Sequence, residues 1–396
     1  MEKLALGYVF VAIFPSIIYG FLCHEAEELP GYETVLKLDE MARKGELIDQ
    51  FKPTESGFLG GGSIGFTYKG TLRPNGREVA MKFTSSEGKL EARREYEIYS
   101  YLDAINNTAI ESKGIPSVYY FGEWEDYTLM AITLLDPVFT KKINAKDIDE
   151  TDILIISREF VRITKYIHSR GIHHNDIKYG NIMFRKHQCF IIDYNLASTM
   201  YKSSRGKISQ PSVQRTFEDG RRAAKEDRGS FLSSMSDFFG LELEWLQFSK
   251  MHEILLGKLR YLWRKLAQDI KQIKEIEDDG LSRVFGEFAS YVFEDQIESM
   301  NRDNGTRVSI YDKIYEIINE EIAKYKNGKP VLVSWLTEEE EEKALQDLEE
   351  HPIPTNITFI TDPFNQPMLK YKSVNFEYFS KKKHTNAQSS RNPKKR

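Results

Sequence analysis

The stretch HHNDIKYGN at residues 173–181 places a carboxylate, a cation and an amide close together, as Asp176, Lys178 and Asn181. A second carboxylate, Asp193, follows in the apolar run CFIIDY. Transfer of a phosphoryl group from a nucleotide needs a carboxylate that takes the proton of the attacking hydroxyl, a cation near the transferred phosphate, and oxygen ligands for Mg²⁺. Each residue alone would be an ordinary polar loop residue, but in this order the four match that reaction.

Two upstream segments could bind the phosphates of the nucleotide. Gly60, Gly62 and Gly65 form GxGxxG in LGGGSIGFTYKG, which either lets a hairpin backbone approach phosphates or makes a structural turn. A strand pattern follows these glycines, whereas a Rossmann site would need a helix there. Lys82, in VAMKF, is either a snorkelling strand residue or a cation for anionic ligand oxygens. Glu95, in the next helical pattern, could supply a carboxylate to it.

The elements that must position these residues differ between two parts of the chain. Residues 51–135 contain short strand patterns and one helical pattern, so we predict a small β-rich lobe with one helix. Helical patterns dominate afterwards, clearly so from Glu150, and residues 136–325 are predicted to form a larger helical lobe. Residues 24–50 are predicted to be a linker with a short helix. Residues 326–396 are predicted to be an extension with an isolated, solvated acidic helix and a basic tail.

Length and composition limit the classes of protein to which the chain can belong. Its 396 residues are 40% hydrophobic and 29% charged, which is typical of a soluble globular protein with a sizeable core. The formal net charge of −5 gives no overall attraction to nucleic acid, so we expect no nucleic-acid partner. Only two cysteines, Cys23 and Cys189, are present, which excludes a disulfide framework and a CxxC zinc site.

The first 23 residues suggest a targeting segment. Residues 4–23 are apolar and follow a single basic residue, Lys3, which is typical of a secretory signal peptide. The run is also long enough for an uncleaved signal anchor, and a buried helix of a soluble protein is a further alternative. Basic KKK and KKR clusters near the C-terminus would instead suggest the nucleus, or the cytoplasm. Because a leader acts first, during synthesis, we predict the secretory pathway, with the protein secreted or anchored through residues 4–23.

Several segments together resemble eukaryotic-type protein kinases, and most closely the casein kinase I group. GGGSIGFTYKG is similar to the glycine loop of that group, GREVAMKF to its lysine strand, EYEIYSYL to its first helix, and YIHSRGIHHNDIKYGNIMF to its catalytic loop. The resemblance extends over about residues 50–322. It implies a bilobal α+β fold, with a small antiparallel β-rich N-lobe that has one helix and a larger, mostly α-helical C-lobe.

The resemblance also implies a role for each candidate catalytic residue. Lys82 would hold the α- and β-phosphates of ATP and pair with Glu95. Asp176 would be the catalytic base, and Lys178 would steady the γ-phosphate. Residues implied to contact the nucleotide are Gly60, Gly62, Gly65, Ala80, Lys82, Ile132 and Leu135.

Further positions follow from the same resemblance. Asn181 and Asp193 would ligate Mg²⁺. Ile132 would stand at the back of the adenine pocket, with the backbone of Leu135 at the hinge. Asp227 would brace the catalytic loop from below.

Three positions depart from the pattern of the family. Asn175 replaces the arginine of HRD that would clamp a phosphorylated activation loop, so activation by loop phosphorylation is not expected. Tyr194 and Asn195 replace the last two residues of DFG. Tyrosine can fill the phenylalanine pocket if its hydroxyl finds a partner, and asparagine tolerates positive φ. We therefore expect binding of Mg²⁺ to survive.

The interval between Asp193 and Asp227 is short, at 33 residues, and has no clear counterpart of the substrate-platform motif of the family. It is also basic, which suggests either a solvated loop or a docking surface for acidic or already phosphorylated substrates. We predict a monomeric, ATP- and Mg²⁺-dependent serine/threonine protein kinase of the casein kinase I type, touching a membrane only through an uncleaved leader. Alternatives are a pseudokinase and a kinase for a small molecule or a lipid headgroup. The basic residues are Lys202, Arg205, Lys207, Arg215, Arg221, Arg222 and Lys225.

Overall fold

The computed structural model describes most of the chain between residues 31 and 350. The described residues are 31–73, 75–136, 148–199, 227, 229–231, 280, 283–284, 298–300, 307–325 and 331–350. The apolar leader, the basic residues between Asp193 and Asp227, and the basic tail lie outside them, so the expectations for those segments stay predictions. Within the described ranges, no helix is both long and apolar enough to span a bilayer.

A five-stranded antiparallel sheet forms the N-lobe, with the strand order β1-β2-β3-β5-β4. Because successive side chains of a strand point to opposite faces, Val79, Met81 and Phe83 enter one apolar cluster while Ala80 faces a second. Lys82 shares the face of Ala80, which is the face turned towards the C-lobe. The strands are β1 (Phe51–Gly62), β2 (Gly65–Leu72), β3 (Arg77–Thr84), β4 (Val118–Trp124) and β5 (Tyr127–Thr133).

The short helix expected before the sheet is α1 (Tyr32–Lys44), and it ends at Gly45, whose φ of 72° is left-handed. This helix lies against the outer face of the sheet, where its Leu38 is fully buried. The Asp39 carboxylate accepts hydrogen bonds from the backbone N–H of Ser56 and from the Tyr68 hydroxyl. A segment that was expected to be a linker thus contributes a covering layer to the N-lobe.

The opposite face of the sheet carries α2 (Lys89–Tyr101). Its buried residues include Ala92, Glu95 and Tyr99, which recur every three or four positions and so lie on one side of the helix. Glu95 therefore points inward with apolar neighbours, although it is charged. Such a position is costly for a carboxylate unless a cation meets it.

The C-lobe is built around α3 (Glu150–Ser169). Its N-terminus has a capping box, in which the side chains of Asp149 and Asp152 each accept the backbone N–H of the other residue. The helix is buried on nearly all sides, as expected for a central helix. Further elements are β6 (Ile172–His173), β7 (Ile182–Arg185), β8 (Gln188–Ile191), β9 (Ser198–Thr199), β10 (Glu298–Met300), β11 (Arg307–Ser309), α4 (Ile310–Lys324) and α5 (Glu338–Glu350).

Residues 331–350, here called the C-terminal strap, pack on the C-lobe. Ser334 donates its backbone N–H and its hydroxyl to the fully buried Asp152 carboxylate. The Trp335 ring meets Phe184 edge-on at 5.2 Å. The acidic helix α5 lies in this strap, and its Ala344 is fully buried. The expectation of an isolated helix was therefore wrong, because Ala344 and Leu348 are buried and Asp347 Oδ2 lies 3.4 Å from Nε2 of His187 in the C-lobe.

The described elements thus form an antiparallel β-rich N-lobe with one helix on its inner face and a mostly helical C-lobe. This is the bilobal α+β fold that the resemblance implied.

Candidate active site

The glycine hairpin is the turn between β1 and β2, where Gly62 pairs with Gly65. A Cβ atom at Gly65 would lie 1.9 Å from the carbonyl oxygen of Phe83, so the close approach of β2 to β3 requires this glycine. At Gly60 and Gly62, a Cβ atom would meet nothing within 4 Å. Side-chain packing therefore does not require glycine at these two positions. A hairpin backbone that must approach a phosphate group would require it.

Lys82 joins the two lobes through two carboxylates. Its Nζ lies 2.7 Å from Glu95 Oε2 on α2 and 2.8 Å from Asp193 Oδ1, two residues beyond β8. The side chains of Lys82 and Asp193 are 24% and 25% exposed, whereas that of Glu95 is 2% exposed. The ion pair expected between Lys82 and Glu95 is present, and solvent can still reach the lysine.

The charges in this cluster are set by the balance of burial and attraction. Burial acts to lower the pKa of Lys82, but the carboxylates of Glu95 and Asp193 outweigh it and raise that pKa above its ordinary 10.5. Burial likewise acts to raise the pKa of Asp193, and the Lys82 ammonium outweighs it and lowers that pKa. The site therefore keeps a charged lysine beside an ionised aspartate, which suits anionic phosphates and a divalent cation.

The catalytic loop brings Asp176, Lys178 and Asn181 together between β6 and a 3₁₀ turn at Tyr179–Asn181. Lys178 Nζ lies 2.8 Å from Asp176 Oδ2, and Asn181 Nδ2 lies 3.2 Å from the same oxygen. Asn181 Nδ2 also donates to the backbone oxygen of Asp176, at 2.9 Å. Among the described residues these contacts leave Asp176 Oδ1 without a partner, so this oxygen can accept the hydrogen of an incoming hydroxyl.

His174 orients the backbone of the catalytic loop. Its Nε2 lies 2.9 Å from the carbonyl oxygen of Ile192, which can only accept, and the backbone N–H of Asp176 donates to its Nδ1 at 3.3 Å. One ring nitrogen must therefore donate while the other accepts, which requires the neutral imidazole. Burial lowers the pKa of His174 below its ordinary 6.5, in agreement with that requirement.

Asp227 anchors the loop from below, where the resemblance placed it. It is fully buried and accepts the backbone N–H groups of His174 and Asn175, each at 2.7 Å. His168 Nε2 lies 2.9 Å from Asp227 Oδ2. Two backbone N–H groups and one ring nitrogen thus bind the same carboxylate. They fix the position of Asn175, which directly precedes Asp176.

Asp193, Tyr194 and Asn195, which stand where the family has DFG, differ in part from expectation. The Tyr194 ring is fully buried, 5.3 Å from the Tyr99 ring and 4.7 Å from the His174 ring. Its hydroxyl is buried without a hydrogen-bond partner among the described residues, so the pocket is filled but the hydroxyl is not satisfied. Positive φ occurs at Asp193, with φ of 68°, whereas Asn195, which would tolerate it, lies in the 3₁₀ turn Tyr194–Leu196.

The side of the cleft where the resemblance places adenine is apolar. Ala80 on β3 pairs with Ile132 on β5, and both are 7% exposed, as is Leu135 beyond the end of β5. Asp136 and Phe184 exchange backbone hydrogen bonds of 2.7 Å and 3.1 Å, which tie this connecting segment to β7. Ile132 and Leu135 therefore lie where the strand of one lobe passes to the other lobe.

A magnesium ion is consistent with the oxygens at Asn181 and Asp193. The backbone N–H of Ile192 donates to the backbone oxygen of Asn181 at 3.0 Å, which holds the two ligand positions side by side. A carboxylate and an amide oxygen are ligands that Mg²⁺ takes, with nucleotide phosphates completing the shell. In the part of the chain that the structure describes, no group of three or more His, Cys, Asp or Glu side chains is arranged to hold a metal ion.

Sequence reasoning missed two contributors to the site. His168 lies in the segment that resembles the catalytic loop of the family but was given no role, yet its ring helps to fix Asp227. Asn175 was noted for what it lacks, whereas its side chain makes contacts of its own, described below. The signal for Asn175 was its place directly before Asp176, but no spacing rule predicts the partners of a side chain across the fold.

Comparison with known families agrees with this geometry. Residues 54–218 match the family model described as the protein kinase domain. The match includes the glycine hairpin, Lys82, the catalytic loop and Asp193, while α1, Asp227 and the C-terminal strap lie outside it. The match covers less than half of the chain, and it shows that residues 54–218 are similar to protein kinase domains.

Proposed function

We propose that the chain is an active serine/threonine protein kinase of the casein kinase I type, which uses ATP and Mg²⁺. The observation that supports activity best is the contact of Lys82 with both Glu95 and Asp193, at 2.7 Å and 2.8 Å. The lysine that would hold the phosphates and the aspartate that would hold the metal are already side by side, so the nucleotide site needs little rearrangement.

In this proposal Asp176 acts as the base. The hydroxyl oxygen of the substrate attacks the γ-phosphorus, the bond to the bridging oxygen breaks, and ADP leaves while the hydroxyl proton passes to Asp176 Oδ1. Lys178, held 2.8 Å from Asp176 Oδ2, is placed to meet the transferred phosphoryl group. When bound at Asn181 and Asp193, magnesium would neutralise phosphate charge.

The test is the Asp176→Asn variant of the full chain. We expect transfer to fall by roughly 10² to 10⁴-fold, the usual contribution of a general base. The rise in melting temperature on adding ATP and Mg²⁺ should remain. Asp103→Asn is a matched control, because it makes the same substitution at an exposed aspartate. Equal rates for Asp176→Asn and the control would contradict the assignment.

A pseudokinase is the second candidate, and the unsatisfied hydroxyl of Tyr194 favours it. A buried, unpaired hydroxyl disfavours the arrangement in which Asp193 faces the metal. The two candidates differ in one assay. If ATP and Mg²⁺ raise the melting temperature but no phosphate reaches an acidic protein, the chain itself or a small hydroxyl compound, the pseudokinase is correct. Transfer to the small compound alone would identify a small-molecule or lipid-headgroup kinase.

Acidic or already phosphorylated proteins are the proposed substrates. Support comes from the resemblance to the casein kinase I group and from the basic interval between Asp193 and Asp227. Serine, threonine and tyrosine versions of one acidic peptide would test the specificity. Transfer to tyrosine alone would contradict the proposal.

We also propose that residues 4–23 direct the chain, as a monomer, into the secretory pathway. The apolar run behind Lys3 supports this. N-terminal sequencing of the mature protein would show whether the leader is cleaved or retained as an anchor. An intact leader on a protein found in the nucleus or cytoplasm would contradict the proposal.

A further inference from the structure

The activation segment, which begins after Asp193, starts in direct contact with the catalytic loop. Its strand β9 pairs with β6, so that Ser198 lies opposite His173 and Thr199 opposite Ile172. Strand β6 leads directly into the loop that carries Asp176. Whatever fixes β9 therefore also fixes the approach to the catalytic base.

Asn175 is the residue that connects these parts. Its backbone is left-handed, with φ of 63°, and its N–H donates to Asp227 Oδ1 at 2.7 Å. Its side-chain Nδ2 donates to the carbonyl oxygen of Leu196 at 2.8 Å and to Ser198 Oγ at 3.1 Å. Through its backbone and its side chain together, this one residue thus bridges the buried anchor of the C-lobe and the first residues of the activation segment.

The chemistry of the contact selects an amide. The carbonyl oxygen of Leu196 can only accept, so the group that faces it must donate. Asn175 Oδ1 is buried without a hydrogen-bond partner among the described residues, so both productive contacts are made by the nitrogen. Ser198 is 3% exposed, and its contact with Nδ2 is therefore shielded from competing water.

The contact needs no charge. An arginine at this position would need a phosphate on the activation segment to complete its clamp, whereas the amide of Asn175 meets groups that the unmodified chain already has. We propose that Asn175 is a positioning residue whose amide latches Leu196 and Ser198 to the catalytic loop, so that the start of the activation segment is ordered without phosphorylation. The expected effect on phosphate transfer rests on the proposed function, whereas the existence of the latch does not.

Two variants test the latch. Asn175→Asp keeps the shape and the tolerance of positive φ but turns both donors into acceptors, and Asn175→Gly removes the side chain without backbone strain. In both, we expect kcat to fall roughly tenfold or more, with KM for ATP nearly unchanged. Amide hydrogen exchange at residues 196–199 should rise, while exchange in the β7–β8 hairpin should not. Asn106→Asp is the matched control, since Asn106 also has positive φ, at 50°.

A third variant and a phosphatase treatment complete the test. Ser198→Ala removes one of the two acceptors without touching the left-handed residue, so it should raise exchange at 196–199 by less and remains informative if Asn175 variants do not fold. Treating the wild-type protein with a broad phosphatase should leave its transfer rate unchanged.

Several results would overturn the inference. If amide exchange at residues 196–199 in Asn175→Asp equals that of the wild type, the latch does not exist. If phosphatase treatment abolishes transfer, the activation segment does depend on phosphorylation. If the wild-type chain transfers no phosphate at all, the proposed function fails, yet the exchange measurement still decides whether the latch exists.

Discussion

Two buried carboxylates in this molecule are satisfied in opposite ways. Glu95 in the N-lobe meets a lysine that is 24% exposed, whereas Asp227 in the C-lobe meets two backbone N–H groups and the ring of His168. Burial acts to raise the pKa of Asp227, but the hydrogen bond from His168 outweighs it and lowers that pKa. At Glu95, by contrast, burial outweighs the Lys82 ammonium and raises the pKa, so the cost of burying this carboxylate is only partly offset.

The two carboxylates differ in whether a ligand can take the place of their partners. A lysine side chain is flexible, and an anionic ligand can share its charge with Glu95 and Asp193. Backbone N–H groups cannot leave without moving the chain, so Asp227 fixes the path of the catalytic loop whether or not a ligand is present. The N-lobe cluster is thus suited to binding, and the C-lobe cluster to permanent structure.

The largest effect on stability is expected from Asp227→Ala. It leaves two buried backbone donors unpaired, at about 1–3 kcal/mol each, so the free energy of unfolding should fall by about 3 kcal/mol or more. Urea unfolding of the full chain measures it, with Asp103→Asn as a surface control. A loss no larger than that of the control would show that Asp227 is not a structural anchor.

Lys82→Met should have little effect on stability and a large effect on nucleotide binding. Glu95 and Asp193 lose their cation but Glu95 can take up a proton, so we expect the free energy of unfolding to change by less than about 2 kcal/mol. The rise in melting temperature with ATP and Mg²⁺ should nearly disappear. A destabilisation as large as that of Asp227→Ala would remove the distinction between the two clusters.

A smaller effect on stability is expected when the pH is lowered. Burial lowers the pKa of His174 below 6.5, and the nearby carboxylates of Asp227, Asp193 and Asp176 oppose this without reversing it. A group that resists protonation when folded contributes stability above its unfolded pKa and loses it as pH falls, so this contribution declines from about pH 6.5 downward. Melting temperatures between pH 7.5 and 5.5 should fall less steeply in His174→Gln than in the wild type. Identical slopes would contradict the neutral-imidazole assignment.

The smallest effect is expected from Tyr194→Phe. Removing a buried hydroxyl that has no partner among the described residues should leave stability unchanged or raise it by about 1 kcal/mol. Thermal unfolding measures the change, and Tyr99→Phe is a useful comparison, because the Tyr99 hydroxyl is also buried but lies within reach of the backbone N–H of Asp193. A clear loss of stability in Tyr194→Phe alone would mean that its hydroxyl is satisfied in solution.

The sequence predicted the parts of the site that follow from local order. Lys82 and Asp176 were identified because strand alternation and the DxKxxN spacing are local, and the two-lobed division followed from the change of periodicity. The docking of α1 and of the strap was not predicted, because it depends on contacts such as that of Ser334 with Asp152, 182 residues apart. The position of the positive φ, at Asp193 rather than at Asn195, could not be predicted, because a tolerance of positive φ does not say which residue of a turn adopts it.

The contact of Ser334 with Asp152 has a practical consequence for making the protein. A recombinant fragment trimmed to the family match would lose Asp227, α1 and the strap, and would leave the Asp152 carboxylate and the outer face of the sheet bare. We expect such a fragment to be recovered as aggregates, whereas the full chain, which keeps these contacts, should express in soluble form.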